Sequence, residues 1–327
     1  MTESRTAFTA HNVPDLLDLL PALFGFSPEQ SFIAIATYGA RRRFGFRLRM
    51  DMPPLDQVVA AAAQIANYLR LQDADGVILV AVTDHETVAD TLMEAVRDEL
   101  RGLPVHDAVR TDGATYWVYG PDGPGEGRAY VGRCSPAVVG AIVNGMQILP
   151  NRQALVDRFA PVVGIRKVQM EIATEKALDR ALMELPKDSD TNLAEVGLAT
   201  VDPILRRQAG GATLSDDDRA SLAIWVSSIG VRDELWSRMT RANANDMLEL
   251  WIDISRSVVD PFEAPVLCLA AFAAWLGGDG AQALIAAERA LEFEPGYSMA
   301  LLILRILDGG LSPQHWDGFD AGWPMTS

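Results

Sequence analysis

The sequence predicts an α/β domain over residues 1–150 followed by an all-helical domain over 151–327. Three observations carry that division. Up to about residue 150, runs with the two-residue period of strands alternate with apolar stripes at helical spacing. Beyond Asn151 no strand run occurs, and helical stripes follow one another across short polar breaks. A chain of 327 residues is also long enough for about two domains, each with its own core.

The first helix is expected from Asn12, a capping residue, through Leu16, Leu17, Leu19, Leu20 and Leu23 to Gly25, which ends it. Ser31 to Tyr38 is apolar and β-rich, and after a turn at Gly39-Ala40 the residues Arg43 to Met50 alternate. Phe44, Phe46, Leu48 and Met50 fall on one face, with Arg43, Arg47 and Arg49 on the other, which predicts a hairpin with one covered and one wet face. Pro53 and Pro54 open a second helix with a stripe of Val58, Val59, Ala62, Ile65, Ala66 and Leu69. Gly76 starts the continuous apolar run GVILVAVT, expected deep in the sheet. Thr83 followed by Glu86 has the capping-box spacing and predicts a helix to about Arg101. Val105 to Arg110 and Ala114 to Tyr119 form a second hairpin around Asp112-Gly113. This order gives a mixed sheet of about five strands with helices packed on it. Pro121 to Gly127 reads as a loop, and a helix from Pro136 with a break at Pro150 closes the domain.

In the helical half the breaks are Lys187-Asp188-Ser189-Asp190, Gly210-Gly211 and Gly309-Gly310. Ser215 before three aspartates marks a helix start, because the cap and the acidic first turn both suit the dipole. Between about 264 and 308, Ala271, Ala283, Ala290 and Pro295 fall where a tetratricopeptide repeat places small residues and a proline, with Gly277 to Gly280 as the turn. Ala287 replaces the usual aromatic, so one repeat-like hairpin is expected rather than an array.

The net charge of −16, from 44 acidic and 28 basic side chains, opposes non-specific binding to nucleic acid or anionic membrane. Cys134 and Cys268 stand far apart in no metal or redox spacing, which fits a reducing compartment. The start of the chain lacks the order of a secretion signal. The longest uncharged stretch, Ala264 to Gly278, is shorter than the ~20 residues that cross a bilayer. A cytoplasmic protein is expected.

Two stretches carry a family resemblance. Leu20 to Ser31 (LPALFGFSPEQS) resembles the opening motif of an actinobacterial family known as domain of unknown function 4192. Ala274 to Ala281 (AWLGGDGA), Glu288 to Leu291 and Pro295 to Ser298 resemble its closing motif, and the similarity covers nearly the whole chain. The resemblance implies a cysteine cluster after a strand of Trp-x-x-Tyr type. Here that strand reads Trp117-Val118-Tyr119-Gly120 and is followed by Cys134 alone, so no metal or redox role carries over. A fold and a bacterial setting are implied, and no activity.

Five arginines, Arg41, Arg42, Arg43, Arg47 and Arg49, lie within nine positions of an acidic chain. They suit an anion site, since a guanidinium offers bidentate geometry, with Arg43, Arg47 and Arg49 as the binding set. They equally suit a charged hairpin that keeps a sheet edge from pairing. Asp84-His85-Glu86 follows the central strand, where open α/β sheets hold ligands, and a histidine between carboxylates can serve as a general base. The same residues suit a helix start without chemistry. Gly123, Gly125 and Gly127 make no phosphate loop, four scattered histidines give no zinc spacing, and no serine sits in a nucleophile elbow. Tyr116, Trp117 and Tyr119 suit either a flat ligand or packing across the hairpin.

With no assembled catalytic set, the preferred reading is a non-catalytic interaction or adaptor protein whose helical half docks a protein partner, without metal or cofactor. Self-association stays open. One alternative is a small-molecule or nucleotide-binding, or hydrolytic, α/β domain using Asp84, His85 and the arginines. Another is a nucleic-acid accessory protein using the arginine hairpin, which the net charge opposes.

Overall fold

The computed structural model describes residues 10–132, 136–143, 147–185, 192–313 and 316; Cys134 and the break at 187–190 lie outside them. The chain divides into two compact units, Met1–Ala154 and Leu155–Ser327.

The first unit opens with α1 (Val13–Phe24), bounded by local signals. The Asn12 side chain accepts from the Asp15 amide, and Gly25 ends the helix at φ 75°, where a Cβ would strain the backbone. Next come β1 (Ser31–Tyr38) and β2 (Arg43–Asp51), then a single 3-10 turn (Leu55–Gln57) leading into α2 (Val58–Arg70). Val59, placed in the stripe of α2 by its spacing, is 77% exposed, and Ala61 is buried in that stripe. β3 (Gly76–Val82) and α3 (Glu86–Glu99) lead to β4 (Val105–Thr111) and β5 (Thr115–Gly120). Two-residue strands follow, β6 (Gly123–Pro124) and β7 (Arg128–Ala129), and then α4 (Pro136–Val143).

These form one seven-stranded sheet in the order β2-β1-β3-β4-β5-β6, with β7 also on β5. Among the described strands only β3 and β4 run parallel, joined by α3; the other pairs are antiparallel. The sheet thus exceeds the expected five strands by two short ones, and the segment expected as a loop contains β6. Such two-residue pairings leave no periodic signal.

The sheet has a core on each face. Phe32, Ala34 and Ala36 of β1 pack with α2 and α3, while Ile33 and Ile35 pack with the leucines of α1. The expected wet face of β2 is therefore covered. Its alternation is also broken: Ile35 pairs with Arg47 but Thr37 pairs with Phe44, so β2 carries one extra residue there. Phe46, Leu48 and Met50 stay on the α2–α3 side, and Phe44 joins the α1 side. Gly45 lies within this bulge. A Cβ on it would stand 2.1 Å from the Tyr38 ring, whose hydroxyl donates to the Gln72 carbonyl at 2.8 Å.

The second unit contains no strand among the described residues. Its helices are α5 (Arg152–Arg158, which begins at the end of the first unit), α6 (Ile165–Glu184), α7 (Leu193–Ala209), α8 (Asp216–Val226) and α9 (Ile229–Ser237). They continue with α10 (Ala244–Ser257), α11 (Glu263–Leu276), α12 (Gly280–Phe293) and α13 (Ser298–Asp308). Ser215 forms the expected capped start of α8, exchanging hydrogen bonds with Asp218. The three aspartates there meet Arg166, Arg180 and Arg207. α11 is buried along its whole length and packs on α8, α9, α10, α12 and α13. It forms a hairpin with α12, in which Ala271, Ala283 and Ala290 are fully buried and Asp279 caps the second helix. Phe272 and Trp275 join Trp236 and Trp316 in an aromatic cluster with centroids 5.1–6.4 Å apart. No helix among the described residues is long and apolar enough to cross a membrane.

Candidate functional site

The bulge in β2 decides what the arginines can do together. Arg43 pairs across from Tyr38, on the α2–α3 side, whereas Arg47 and Arg49 pair with Ile35 and Ile33, on the α1 side. The three do not converge on one anion site. Arg41, Arg42 and Arg43 are exposed at the hairpin tip of an edge strand. Arg47 donates from Nη1 to the Leu23 carbonyl at 2.9 Å, in the last turn of α1, where a cation satisfies an orphan carbonyl and suits the dipole.

Arg49 is held more tightly, with only 12% of its side chain exposed. Its Nε donates to Ser31 Oγ at 2.8 Å, and its Nη2 reaches the Glu29 carbonyl at 3.4 Å and Asp51 Oδ1 at 2.6 Å. The guanidinium lies 5.8 Å from the centre of the Phe26 ring. Burial lowers its pKa from the ordinary arginine value; Asp51 opposes that shift, and the neighbouring Arg152 adds to it.

Arg152 comes from the end of the first unit. There Leu149 bridges Phe26 in parallel, with Ser27 N donating to Leu149 O at 3.1 Å and Leu149 N to Gly25 O at 2.8 Å. Asn151 follows and caps α5, its Oδ1 accepting from Ala154 N at 3.0 Å. Phe26, Glu29, Arg49, Asn151, Arg152 and Gln153 thereby surround a pocket of ≈ 210 Å³. Of the candidate site residues named from the sequence Arg49 alone is in it, while Phe26 and Glu29 come from the opening motif. Arg152 lay hidden because Pro150 and Asn151 carry only a boundary signal in the sequence, and no local pattern links them to Phe26.

Asp84 and His85 stand at the carboxyl end of β3, outside that pocket. Their side chains are 70% and 66% exposed, with Nε2 of His85 4.0 Å from Asp84 Oδ1. Gln30 donates from Nε2 to Asp84 Oδ1 at 2.6 Å, and this bond holds the carboxyl below the usual carboxylate range. The Thr83 hydroxyl donates to Gln30 Oε1 and accepts from the His85 amide at 3.0 Å. The expected Thr83–Glu86 capping box is therefore not formed. Thr83 is committed to Gln30, α3 starts without a side-chain cap, and Glu86 faces Arg110 at 3.4 Å.

Arg110 is a buried cation that the strand pattern of β4 concealed. It lies 4.0 Å from Asp90 Oδ1 and 3.9 Å from the centre of the Trp117 ring. Asp90 also accepts from the Tyr119 hydroxyl, whose pKa is raised first by burial and then by that bond. The hairpin aromatics Trp117 and Tyr119 are thus engaged by their own sheet and by α3. Among the described residues, no group of three or more His, Cys, Asp or Glu is placed to hold a metal ion. Burial pushes the Cys268 thiol up, away from the reactive thiolate.

The pocket and the Gln30 junction are both built on Leu20 to Ser31, and Tyr297, near the other end, accepts from the buried Arg232 at 2.7 Å. A family model described as "Domain of unknown function (DUF4192)" matches residues 14–314, a span that takes in all of these contacts. The chain belongs to the DUF4192 family. No curated protein and no solved structure matches it. In this DUF4192 chain the opening stretch ties the end of α1 to the start of β1 and the ends of β2 and β3. Gln30 alone bonds Met52 N through its carbonyl at 2.8 Å and Asp84 through its amide.

Proposed function

We propose that this DUF4192 chain is a non-catalytic cytoplasmic interaction protein of actinobacterial type, and that its helical part binds a protein partner. The observation that carries this reading is the exposed apolar side of α6. Met170, Thr174, Ala177 and Ala181 form its buried face, packed on α8. At 100° per residue, Ile165, Val168 and Ile172 fall on the opposite side, 81%, 53% and 48% exposed. A helix with apolar residues on both sides is suited to a second partner.

The hairpin at about 264–308 serves this reading as scaffold. Its tetratricopeptide-like character is supported by the burial of Ala271, Ala283 and Ala290 between its helices. α11 itself is buried throughout, so α6 is the better contact surface. The net charge of −16 favours a partner with an amphipathic helix flanked by basic residues.

The test is the double substitution Ile165→Glu and Val168→Glu. Both positions are exposed, so the melting midpoint should hold, while a protein captured by the wild type from its native host should be lost. Capture of the same proteins by both forms would refute the reading. If light scattering shows a wild-type dimer that the substitutions split, the occupant of α6 is a second copy rather than a different protein.

A further inference from the structure

We propose that the pocket between Arg49 and Arg152 binds a small oxyanion of phosphate size. Three features of the first unit lead there. Two arginines, Arg49 of strand β2 and Arg152 of the segment after Pro150, line one pocket of ≈ 210 Å³ and act on each other electrostatically. Like charges sharing a small, partly buried space repel each other, and an anion between them relieves that repulsion.

The donors are also unspent. Arg49 uses Nε and Nη2 on Ser31, Glu29 and Asp51, which leaves Nη1 without an acceptor among the described residues. Arg152 is half-buried and makes no hydrogen bond or ion pair among the described residues. Asn151 spends its side-chain oxygen on Ala154 N, so its amide hydrogens remain as donors. Guanidinium N–H groups and an amide are the donors by which proteins hold oxyanions.

Size then selects the ligand. Pockets for drug-sized ligands and cofactors occupy about 300–1,000 Å³, so this one suits a single phosphate, free or as the head of a small ester, and not a whole nucleotide. Two carboxylates oppose the anion: Asp51 at the strand end, 74% exposed and paired to Nη2 only, and Glu29 of the pocket rim, exposed and bonded to Arg49 through its backbone carbonyl. Phe26 forms an apolar wall of the pocket, with the Arg49 guanidinium over its ring.

Calorimetry on the full chain at low ionic strength, where screening is weakest, tests the proposal with inorganic phosphate and with glycerol phosphate as probes. Wild-type protein is expected to bind inorganic phosphate saturably at one site. Arg152→Gln should weaken this about tenfold or more, the loss expected for a charge-assisted bond, while the midpoint without phosphate holds or rises slightly as the repulsion of Arg49 is relieved. Arg152→Lys should recover part of the affinity. Tighter binding of the ester would identify a phosphorylated small molecule as the natural occupant, and binding of the inorganic ion alone would identify the free anion. The proposal is overturned if wild-type heats are not saturable, if Arg152→Gln binds as the wild type does, or if chloride at matched ionic strength competes equally.

Discussion

β1 and α11 are the central elements of their units, and they bury themselves in opposite ways. β1 sends Phe32, Ala34 and Ala36 into one core and Ile33 and Ile35 into another, each core closed by different helices. α11 has a single environment on all sides, and small residues let its neighbours approach closely. The difference decides where charge is admitted. Beside β1, at the sheet edge, Arg47 and Arg49 end on backbone carbonyls, a hydroxyl and one carboxylate. Around α11 the only buried carboxylate of the helix is Glu263, at its first residue, with Oε2 lacking a hydrogen-bond partner among the described residues. A two-faced element leaves an edge where a cation finds acceptors; beside α11 the buried cation is Arg232 of the neighbouring α9, held by Asp233 and Tyr297.

The largest expected effect tests close packing around α11. Ala283→Leu adds a branched side chain at a fully buried position and should cost about 1–3 kcal/mol of stability. Val59→Leu, on the exposed side of α2, should cost almost nothing. Thermal melts of both beside the wild type make the measurement, and an unchanged midpoint for Ala283→Leu would mean the hairpin has room it is not expected to have. On the sheet side, Arg47→Met keeps the stem of the side chain and removes the bond to the Leu23 carbonyl. A loss of about 1 kcal/mol in denaturant unfolding is expected, with no change for Arg43→Met at the tip.

The smallest effect has the opposite sign. Burial raises the Glu263 pKa and Asp260 reinforces the shift, while a hydrogen bond from its own backbone amide, Arg289 and Lys167 oppose it. The folded chain therefore binds this proton more tightly than the unfolded one, so Glu263 costs stability as pH rises from the ordinary carboxylate value through the raised one. Glu263→Gln should raise the midpoint slightly at neutral pH and remove that part of the pH dependence. A midpoint that falls instead would show the carboxylate to be paired after all.

What was legible in the sequence follows the range of the interactions. Asn12 and Gly25 bound α1, and Ser215 caps α8, because caps act within four residues. β1 and β3 were readable from their continuous apolar runs. The bulge was not: nothing within β2 shows that one residue is extra until β1 sets the register, and with it the face of each arginine. Thr83 and Glu86 had the capping spacing, yet Gln30, fixed by another strand end, took the hydroxyl. Arg49 stands out in the sequence by its charge, but its pocket needs Asn151 to Gln153, brought in by backbone bonds of Leu149 to Gly25 and Ser27.

The Tyr38 ring occupies the space that a side chain at Gly45 would fill. The two positions are in effect a single heritable character. A lineage that gains a side chain at 45 must shrink or redirect the ring at 38, and a single mutation at the glycine is expected to persist only after the tyrosine has changed. One contact across a hairpin thus couples the two positions: a side chain at 45 needs a smaller residue at 38 or a Tyr38 ring turned away from its bond to Gln72.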